Sequence, residues 1–303
     1  MKITTAAVLC LAGLPLLAAC GPGEKSLRVV HTPQTKLVYE LQQHEDAPHE
    51  VLGLGGSLDS AETIELACTS VEPDGVGNYE VTVLGVKLTG PPAAGANVDS
   101  GAGRPVEGDK IGANAVTLSL LPRHAVVQIA PNCRVGGAQS DLEVGKHLSE
   151  WMKTKPVASR KIIYRLAEAL DAGPLVHRWW NPVSALVPPN DRVPPGTSWK
   201  STPPPIDTPA GKLAARIDVD YTREGDVAVL TGKGSFVPDG DPPANRPLDF
   251  EGASLDVVAR IDLVRGVLLS YEEKGSFDFR LRGEGKLPAP WSHTRKLTLK
   301  EPK

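Results

Sequence analysis

Regular alternation of apolar and polar residues is the strongest pattern in the chain. Five apolar side chains occupy every second position in residues 213–221 and again in residues 255–263, and three of the four positions between them are charged in each run. The stretches 224–226 and 265–266 have the composition of turns, and residues 277–281 resume the alternation. A period of two is typical of a strand with one face on the core and one in water. The C-terminal part therefore predicts an antiparallel β meander.

The N-terminal half carries shorter runs of the same kind. They occur at residues 37–41, 64–68, 79–83, 116–120 and 125–129. After Val83 the phase slips at Leu84, beside Gly85, which predicts a β-bulge or bend. The Gly-, Ala- and Pro-rich stretch 91–108 predicts a loop.

The middle of the chain changes period. Within residues 141–152 apolar side chains recur at helical spacing, and a second apolar face follows from Ile162 to Leu170, with Ser159 as its predicted cap. Gly173-Pro174 is expected to end that helix, and the proline-rich residues 181–209 are expected to form an extended connector.

Together these elements predict a predominantly β member of the α+β class. The expected architecture is an antiparallel curved sheet, or a half-barrel, with a small central helical insert. The expected parts are an N-terminal β-rich region (31–138), the insert (139–174), and a connector followed by the meander (175–303). Whether the two β-rich regions form one domain or two stays open.

The N-terminus resembles that of bacterial lipoproteins. Lys2 precedes an uncharged apolar run from Ala6 to Ala19, and Leu17-Ala18-Ala19-Cys20 matches a lipobox. The resemblance implies that residues 1–19 are a signal peptide, that Cys20 carries the lipid (palmitate among its acyl chains), and that residues 20–30 form a tether. It implies an extracytoplasmic location in the cell envelope. Since Gly21 rather than aspartate follows the cysteine, it favours an outer membrane facing the periplasm where the source has two membranes.

Composition limits the partners. Removing Lys2 with the signal leaves 32 basic and 36 acidic residues from totals of 33 and 36, a net charge of −4. Such a balance is not typical of a nucleic-acid-binding protein, so no nucleic-acid partner is expected. Attachment to a membrane must then come from the lipidated N-terminal cysteine. A curved sheet over helices also resembles, in architecture alone, the carriers and receptors that sort bacterial lipoproteins.

Two cysteines remain in the predicted mature chain. Cys68 and Cys133 lie in or beside strand-like runs, and an extracytoplasmic compartment permits them to form a disulfide. The alternative is two separate buried thiols that pack as small apolar side chains.

The strongest candidate for a ligand or interface patch is His177-Arg178-Trp179-Trp180. Adjacent tryptophans beside a histidine and an arginine can line a pocket or anchor a partner. The alternative is that one tryptophan plugs the sheet while its neighbour lies on the surface. The segments His44–Glu50 and Gly53–Ser57 carry metal-like and phosphate-loop-like residues, but both are better interpreted as surface turns.

The sequence favours a non-enzymatic binding, carrier or envelope-scaffolding lipoprotein, with an apolar ligand or an envelope protein as partner. No catalytic motif, resident metal or cofactor is expected. The carrier hypothesis predicts an apolar cavity between the meander and the helices. The alternative is a hydrolase or metal-dependent enzyme whose site is assembled from dispersed acidic residues and histidines, namely His44, His49, His124, His147 and His177.

Overall fold

The structure is a computed structural model, and it describes most of the chain beyond the N-terminal segment. The described residues are 26–47, 56–102, 106–140, 143–156, 159–188, 190, 192–208, 210–282 and 288–300. The lipobox with Cys20, the signal segment, His49 and Gly53–Gly55 lie outside the described residues.

Thirteen strands form one antiparallel sheet. They are β1 (Lys36–Ala47), β2 (Gly56–Val71), β3 (Gly77–Thr89), β4 (Asn97–Asp99), β5 (Arg123–Ile129), β6 (Val135–Ser140), β7 (Ser198–Ser201), β8 (Ile206–Thr208), β9 (Gly211–Glu224), β10 (Val227–Pro238), β11 (Leu248–Asp262), β12 (Val267–Leu281) and β13 (Pro288–Lys300). The order across the sheet is β6-β5-β3-β2-β1-β13-β12-β11-β10-β9-β7, with β4 beside β3 and β8 beside β9. Because β1 pairs with β13, the two β-rich regions share a single sheet.

Four α-helices are described. They are α1 (Ala113–Leu120), α2 (Val144–Met152), α3 (Arg160–Leu170) and α4 (Ala172–Leu186). A short 3₁₀ turn spans Pro92–Ala94.

Helix α4 shows that the sheet is curved. Near one edge of the sheet, the Val135 N–H of β6 donates to Asn181 Oδ1 at 3.0 Å. At the other edge, the Ser201 hydroxyl of β7 donates to the Ala185 carbonyl. One helix can bond to both edge strands only if the sheet bends around it. The predicted class, a predominantly β α+β fold with a curved sheet and helices, is confirmed.

The apolar residues of the predicted alternating runs form the buried face of the sheet. In β9 the side chains of Leu213, Ala215, Ile217, Val219 and Tyr221 are all buried. The predicted bulge is confirmed, because the β2–β3 register shifts between Thr63/Ile64 on one strand and Gly85/Val83 on the other. Leu84 is the extra residue and is exposed.

The strand predicted at residues 116–120 is wrong, because this stretch belongs to α1. The helix buries Ala113, Thr117 and Leu120, which are spaced by four and three residues, and leaves Leu118 exposed. The Asp109 carboxylate accepts the Ala113 and Asn114 N–H groups, each at 2.9 Å. The burial of one helical face thus determines the structure of this stretch, and the alternation of apolar residues in 116–120 is coincidental.

The extended connector expected from residue 181 is wrong in part, whereas the expected helix end is confirmed, because α3 ends at Leu170, just before Gly173-Pro174. Both residues lie in the first turn of α4, where a proline loses no intrahelical hydrogen bond. The helix then continues through Pro182 to Leu186. Ser159 precedes α3 as expected, but its hydroxyl donates to the Ala94 carbonyl at 2.6 Å rather than capping the helix.

The segment 26–35 crosses one end of the curved sheet. Leu27 is fully buried, so the packed body begins within the stretch expected to be tether. The Val29 N–H donates to the Pro131 carbonyl and the Val30 N–H donates to the Gly266 carbonyl, each at 2.7 Å. We call this end of the sheet, with its β5–β6 and β11–β12 turns, the proximal end, and the opposite one the distal end.

Within the described residues, no helix has the length and apolar character needed to cross a membrane.

Candidate ligand-binding cleft

Helix α4 divides the predicted His177–Trp180 patch between the core and a cleft. Trp179 and Trp180 are both buried, and the Trp180 ring meets Tyr39 edge-on, with ring centroids 5.0 Å apart. His177 and Arg178 instead line a cleft between α4 and the meander. The two tryptophans therefore hold the helix in the core, while the two polar residues face the cleft.

The cleft has a volume of about 420 Å³. Such a volume lies within the roughly 300–1,000 Å³ typical of small-molecule sites. Strands β9 to β13 form one wall, and the other is the face of α4 that carries residues 177, 178, 181, 182, 185 and 186. The carrier hypothesis predicts an apolar cavity between the meander and the predicted helices, whereas this cleft lies against α4 and has a lining that is partly apolar and partly polar.

Most of the sheet wall is apolar. Its side chains include Ile217, Phe236, Leu255, Val257 and Phe277. The Phe277 ring centroid lies 4.9 Å from that of Phe236 and 5.1 Å from that of Trp291. This aromatic cluster gives the cleft a rigid apolar surface.

The same strands place a polar cluster, centred on Glu273, next to this aromatic cluster, since the His293 ring stacks on Phe277 with centroids 5.8 Å apart. Its carboxylate accepts the Tyr271 hydroxyl at 2.5 Å and contacts His293 Nε2 at 2.7 Å. Arg295 Nη1 lies 3.4 Å from the same carboxylate. Burial would raise the pKa of Glu273, but the hydrogen bond from His293 and the charge of Arg295 outweigh it and lower the pKa to about 2. Glu273 is therefore a buried carboxylate that stays ionised.

Gly275 makes room for this cluster. It lies opposite His293 in the β12–β13 register. A Cβ atom at residue 275 would lie 2.3 Å from His293 Cε1, closer than any real contact. The absent side chain thus allows the imidazole to lie over β12 and reach Glu273.

A chain of ion pairs runs behind the cleft from α3 to α4. Arg165 contacts Glu45 at 2.5 Å and Glu168 at 2.9 Å. Arg178 contacts Glu168 at 2.8 Å and lies 3.8 Å from Glu62. These pairs link both helices to the inner face of β1 and β2.

Glu62 differs from Glu273 in its electrostatic environment. Its side chain is 1% exposed, and its nearest cation, Arg178, is too distant for a direct hydrogen bond. Burial raises the pKa of Glu62, and the charge of Arg178 opposes that shift only in part. Burial also lowers the pKa of Arg178. The cleft therefore has a largely buried arginine on its wall whose direct acidic partner is Glu168, at 2.8 Å.

The histidines of the enzyme hypothesis lie on different elements. His44 on β1 pairs with Asp59 at 2.7 Å, and His124 on β5 contacts the Thr82 hydroxyl at 3.1 Å. His147 is exposed on α2, and of the four histidines of this set that the structure describes, only His177 reaches the cleft. Within the described residues no three side chains capable of binding a metal come together. This arrangement does not supply the convergence that the enzyme hypothesis required.

Cys68 and Cys133 are both buried free thiols in the structure. Of the two alternatives, the structure thus has the separate thiols. Burial raises the pKa of Cys68 and raises that of Cys133 to about 12, so neither is a reactive thiolate.

Sequence reasoning missed the polar cluster, and the reason lies in β13. Residues 291, 293, 295, 297 and 299 alternate correctly for a strand, but His293 and Arg295 occupy two of the inward positions. A search for apolar alternation therefore passes over the strand. The signal that could have found it is the alternation of larger with smaller side chains from Trp291 to Thr294, which resumes from Leu297 to Leu299.

Comparisons with known proteins add little to this geometry. No protein family model matches the chain, and no curated protein matches it. The crystal structure of Rv2717c from M. tuberculosis is similar over 87% of this chain and 91% of its own, with 9% sequence identity and a TM-score of 0.22. Likeness at that level carries no argument about fold or function.

Proposed function

We propose that this protein is a lipid-anchored, extracytoplasmic binding or carrier protein that holds an apolar or amphiphilic ligand in the cleft between α4 and the meander. The observation that carries the proposal is the cleft itself, about 420 Å³ in volume and open between a helix and an aromatic wall. A closed core would have filled this space with side chains.

The distribution of polar groups supports an amphiphilic ligand. The aromatic wall around Phe277 suits an alkyl chain or ring, because burying apolar surface there releases water. The side chains of Arg178, His293 and Arg295 also line the cleft and can bond a polar group, and His293 lies beside Phe277, with ring centroids 5.8 Å apart. An apolar molecule with one polar end could therefore contact both kinds of side chain.

A binding measurement with a matched pair of variants tests this proposal. The probe is a dansyl-labelled undecanoic acid, whose emission rises and shifts to shorter wavelength in an apolar site. Ala185 lies on the cleft wall of α4 and is only half-buried, so Ala185→Trp fills the cleft without entering the core. The Trp variant should weaken probe binding by at least about tenfold, equivalent to about 1.4 kcal/mol.

The control is Ala185→Ser, which keeps the volume of the cleft and should bind like the parent chain. Circular dichroism must show that both variants are folded. Equal binding by the two variants, or no binding by the parent, contradicts a ligand in this cleft. Native mass spectrometry of the full chain, extracted gently from its own membrane, would then identify the natural ligand by the mass it adds.

The lipid anchor is supported by the lipobox Leu17–Cys20 and is tested separately. The parent chain should pellet with membranes, whereas Cys20→Ser should be released or should keep its signal peptide. Unchanged membrane partition of Cys20→Ser, with normal processing, contradicts the anchor.

A further inference from the structure

Two valines at the proximal end form an exposed apolar pair. Val30 is 61% exposed and Val264 is 67% exposed, the highest values among the large apolar residues of the described chain. They are neighbours, because the Val30 N–H donates to the Gly266 carbonyl in the turn that carries Val264. Exposed apolar side chains held together at the tip of a fold are typical of an interaction surface.

A recess beside this pair adds apolar surface. It has a volume of about 490 Å³ and is lined by Leu37, Val267 and Leu299, at the proximal ends of β1, β12 and β13. Basic side chains also line it, namely Lys36, Arg265 and Lys300. We call the two valines and this recess the proximal patch.

Chain length places the proximal patch near the predicted anchor. Cys20 and Ser26 are six residues apart, and a fully extended chain spans at most about 3.5 Å per residue, or roughly 20 Å here. From Leu27 the chain is fixed to the proximal end by burial and by the bond from Val29 to Pro131. A lipid on Cys20 therefore keeps this end within about 20 Å of the bilayer.

We propose that the proximal patch rests on the lipid bilayer, with Val30 and Val264 in its headgroup region. This inference rests on the proposed lipid anchor. The three cations already have acidic partners: Lys36 with Glu65, Arg265 with Asp262, and Lys300 with Glu40. The contact is therefore mainly apolar, and added salt should change it little.

The other end of the molecule is then directed away from the membrane. The basic residues around α2 and the start of α3 lie at the distal end, because Ser159 bonds to Ala94 just beyond the end of β3. They cannot reach the bilayer that holds the proximal end. The cleft lining extends to Phe236 and Trp291 near the distal end and includes no residue of segment 26–35. The ligand-binding cleft is thus left uncovered.

Site-specific fluorescence on vesicles tests this orientation. The lipidated full chain is reconstituted in phosphatidylethanolamine–phosphatidylglycerol vesicles, with or without a phospholipid that carries a nitroxide at its head group. Val264→Cys is labelled with bimane, and the parent chain gives the background from the buried thiols. The control is Leu84→Cys, 48% exposed and seven residues along β3 from Gly77, roughly 23 Å at 3.3 Å per residue.

The label at residue 264 should be quenched by the nitroxide lipid, and the label at residue 84 should not. Equal quenching at both positions, or no quenching at residue 264 in chains that float with the vesicles, overturns the orientation while the anchor stands. An absence of quenching at residue 264 in floated chains would instead indicate that the proximal patch binds a protein partner. If the parent chain floats no better than Cys20→Ser, the anchor is absent and this inference falls with it.

Discussion

Substituting Glu273 by glutamine tests whether the polar side of the cleft stabilises the fold through charge. The variant keeps the shape of the side chain and removes its negative charge. Three contacts are affected, those with Tyr271 at 2.5 Å, His293 at 2.7 Å and Arg295 at 3.4 Å. Because the side chain is 9% exposed, water cannot replace the lost interactions.

The magnitude follows from the pKa of the carboxyl. Its ordinary value is 4.5 and its folded value is about 2, a difference of about 2.5 units. Since one unit corresponds to about 1.4 kcal/mol, the ionised form stabilises the folded state by about 3 kcal/mol at neutral pH. The folded pKa is the lower one, so this stability is present above about pH 4.5 and is lost as the pH falls towards 2.

Urea denaturation followed by tryptophan fluorescence measures the effect. At pH 7, Glu273→Gln should lower the free energy of unfolding by about 3 kcal/mol, and the difference from the parent should shrink between pH 4.5 and 2. The control is Glu272→Gln, because Glu272 is half-exposed and its pair with Lys296 should contribute less than about 1 kcal/mol. The reasoning would be refuted if both variants lost a similar, small free energy of unfolding at pH 7. It would also be refuted if the difference between Glu273→Gln and the parent persisted at pH 2.

Three further predictions concern the cleft region and the core. Gly275→Ala should lower the free energy of unfolding by about 1–3 kcal/mol in urea denaturation, because its methyl group meets the His293 ring. Gly252→Ala, whose nearest neighbour atom is 3.9 Å away, should change it by less than about 1 kcal/mol, and equal effects would reject the steric argument. Glu62→Gln should raise the melting temperature at pH 7.5, and a clear decrease would contradict the assigned direction of its pKa shift. A thiol reagent at pH 8 should react with Cys133 only after denaturation, because burial raises the pKa of that thiol to about 12, and rapid reaction of the native chain would refute this.

The sheet could be predicted where one face of a strand is uniformly apolar. Strands β9 and β11 carry five-member apolar stripes, and both are long strands of the meander. A period of two has no competing explanation when it extends over nine residues. The bulge at Leu84 could also be predicted from neighbouring residues alone, because one shift in the phase of the alternation reveals it.

The helices were harder to predict, because a Gly-Pro pair can mark the end of one helix or the first turn of another. Gly173-Pro174 follows the end of α3 at Leu170, as expected, but it also lies in the first turn of α4. The burial of Trp179 and Trp180 on the next turns favours that second helix. That burial depends on the sheet wrapping around the helix, which no local pattern encodes.

The candidate site was predicted only in part for a related reason. His177 and Arg178 were found because aromatic and basic residues are adjacent in the sequence. Glu273 and His293 are 20 residues apart and meet only through the β12–β13 register. Polar residues at inward strand positions look like solvent-facing ones until the register is known.

Glu62 and Glu273 are both buried carboxyl groups of this sheet, but their pKa values are shifted in opposite directions. Glu273 has hydrogen-bond donors at 2.5 and 2.7 Å, and these hold its pKa low. For Glu62 burial is the largest influence and raises the pKa, and the charge of Arg178, 3.8 Å away, is the strongest of the influences that oppose it. A raised pKa means that ionisation costs folding free energy above the ordinary value of 4.5, so stability from this group declines as the pH rises towards its folded pKa. A neutral glutamine at residue 62 removes that cost, while Arg178 keeps Glu168 at 2.8 Å. The expected gain in melting temperature should therefore vanish below pH 4, where the parent carboxyl is neutral in both states.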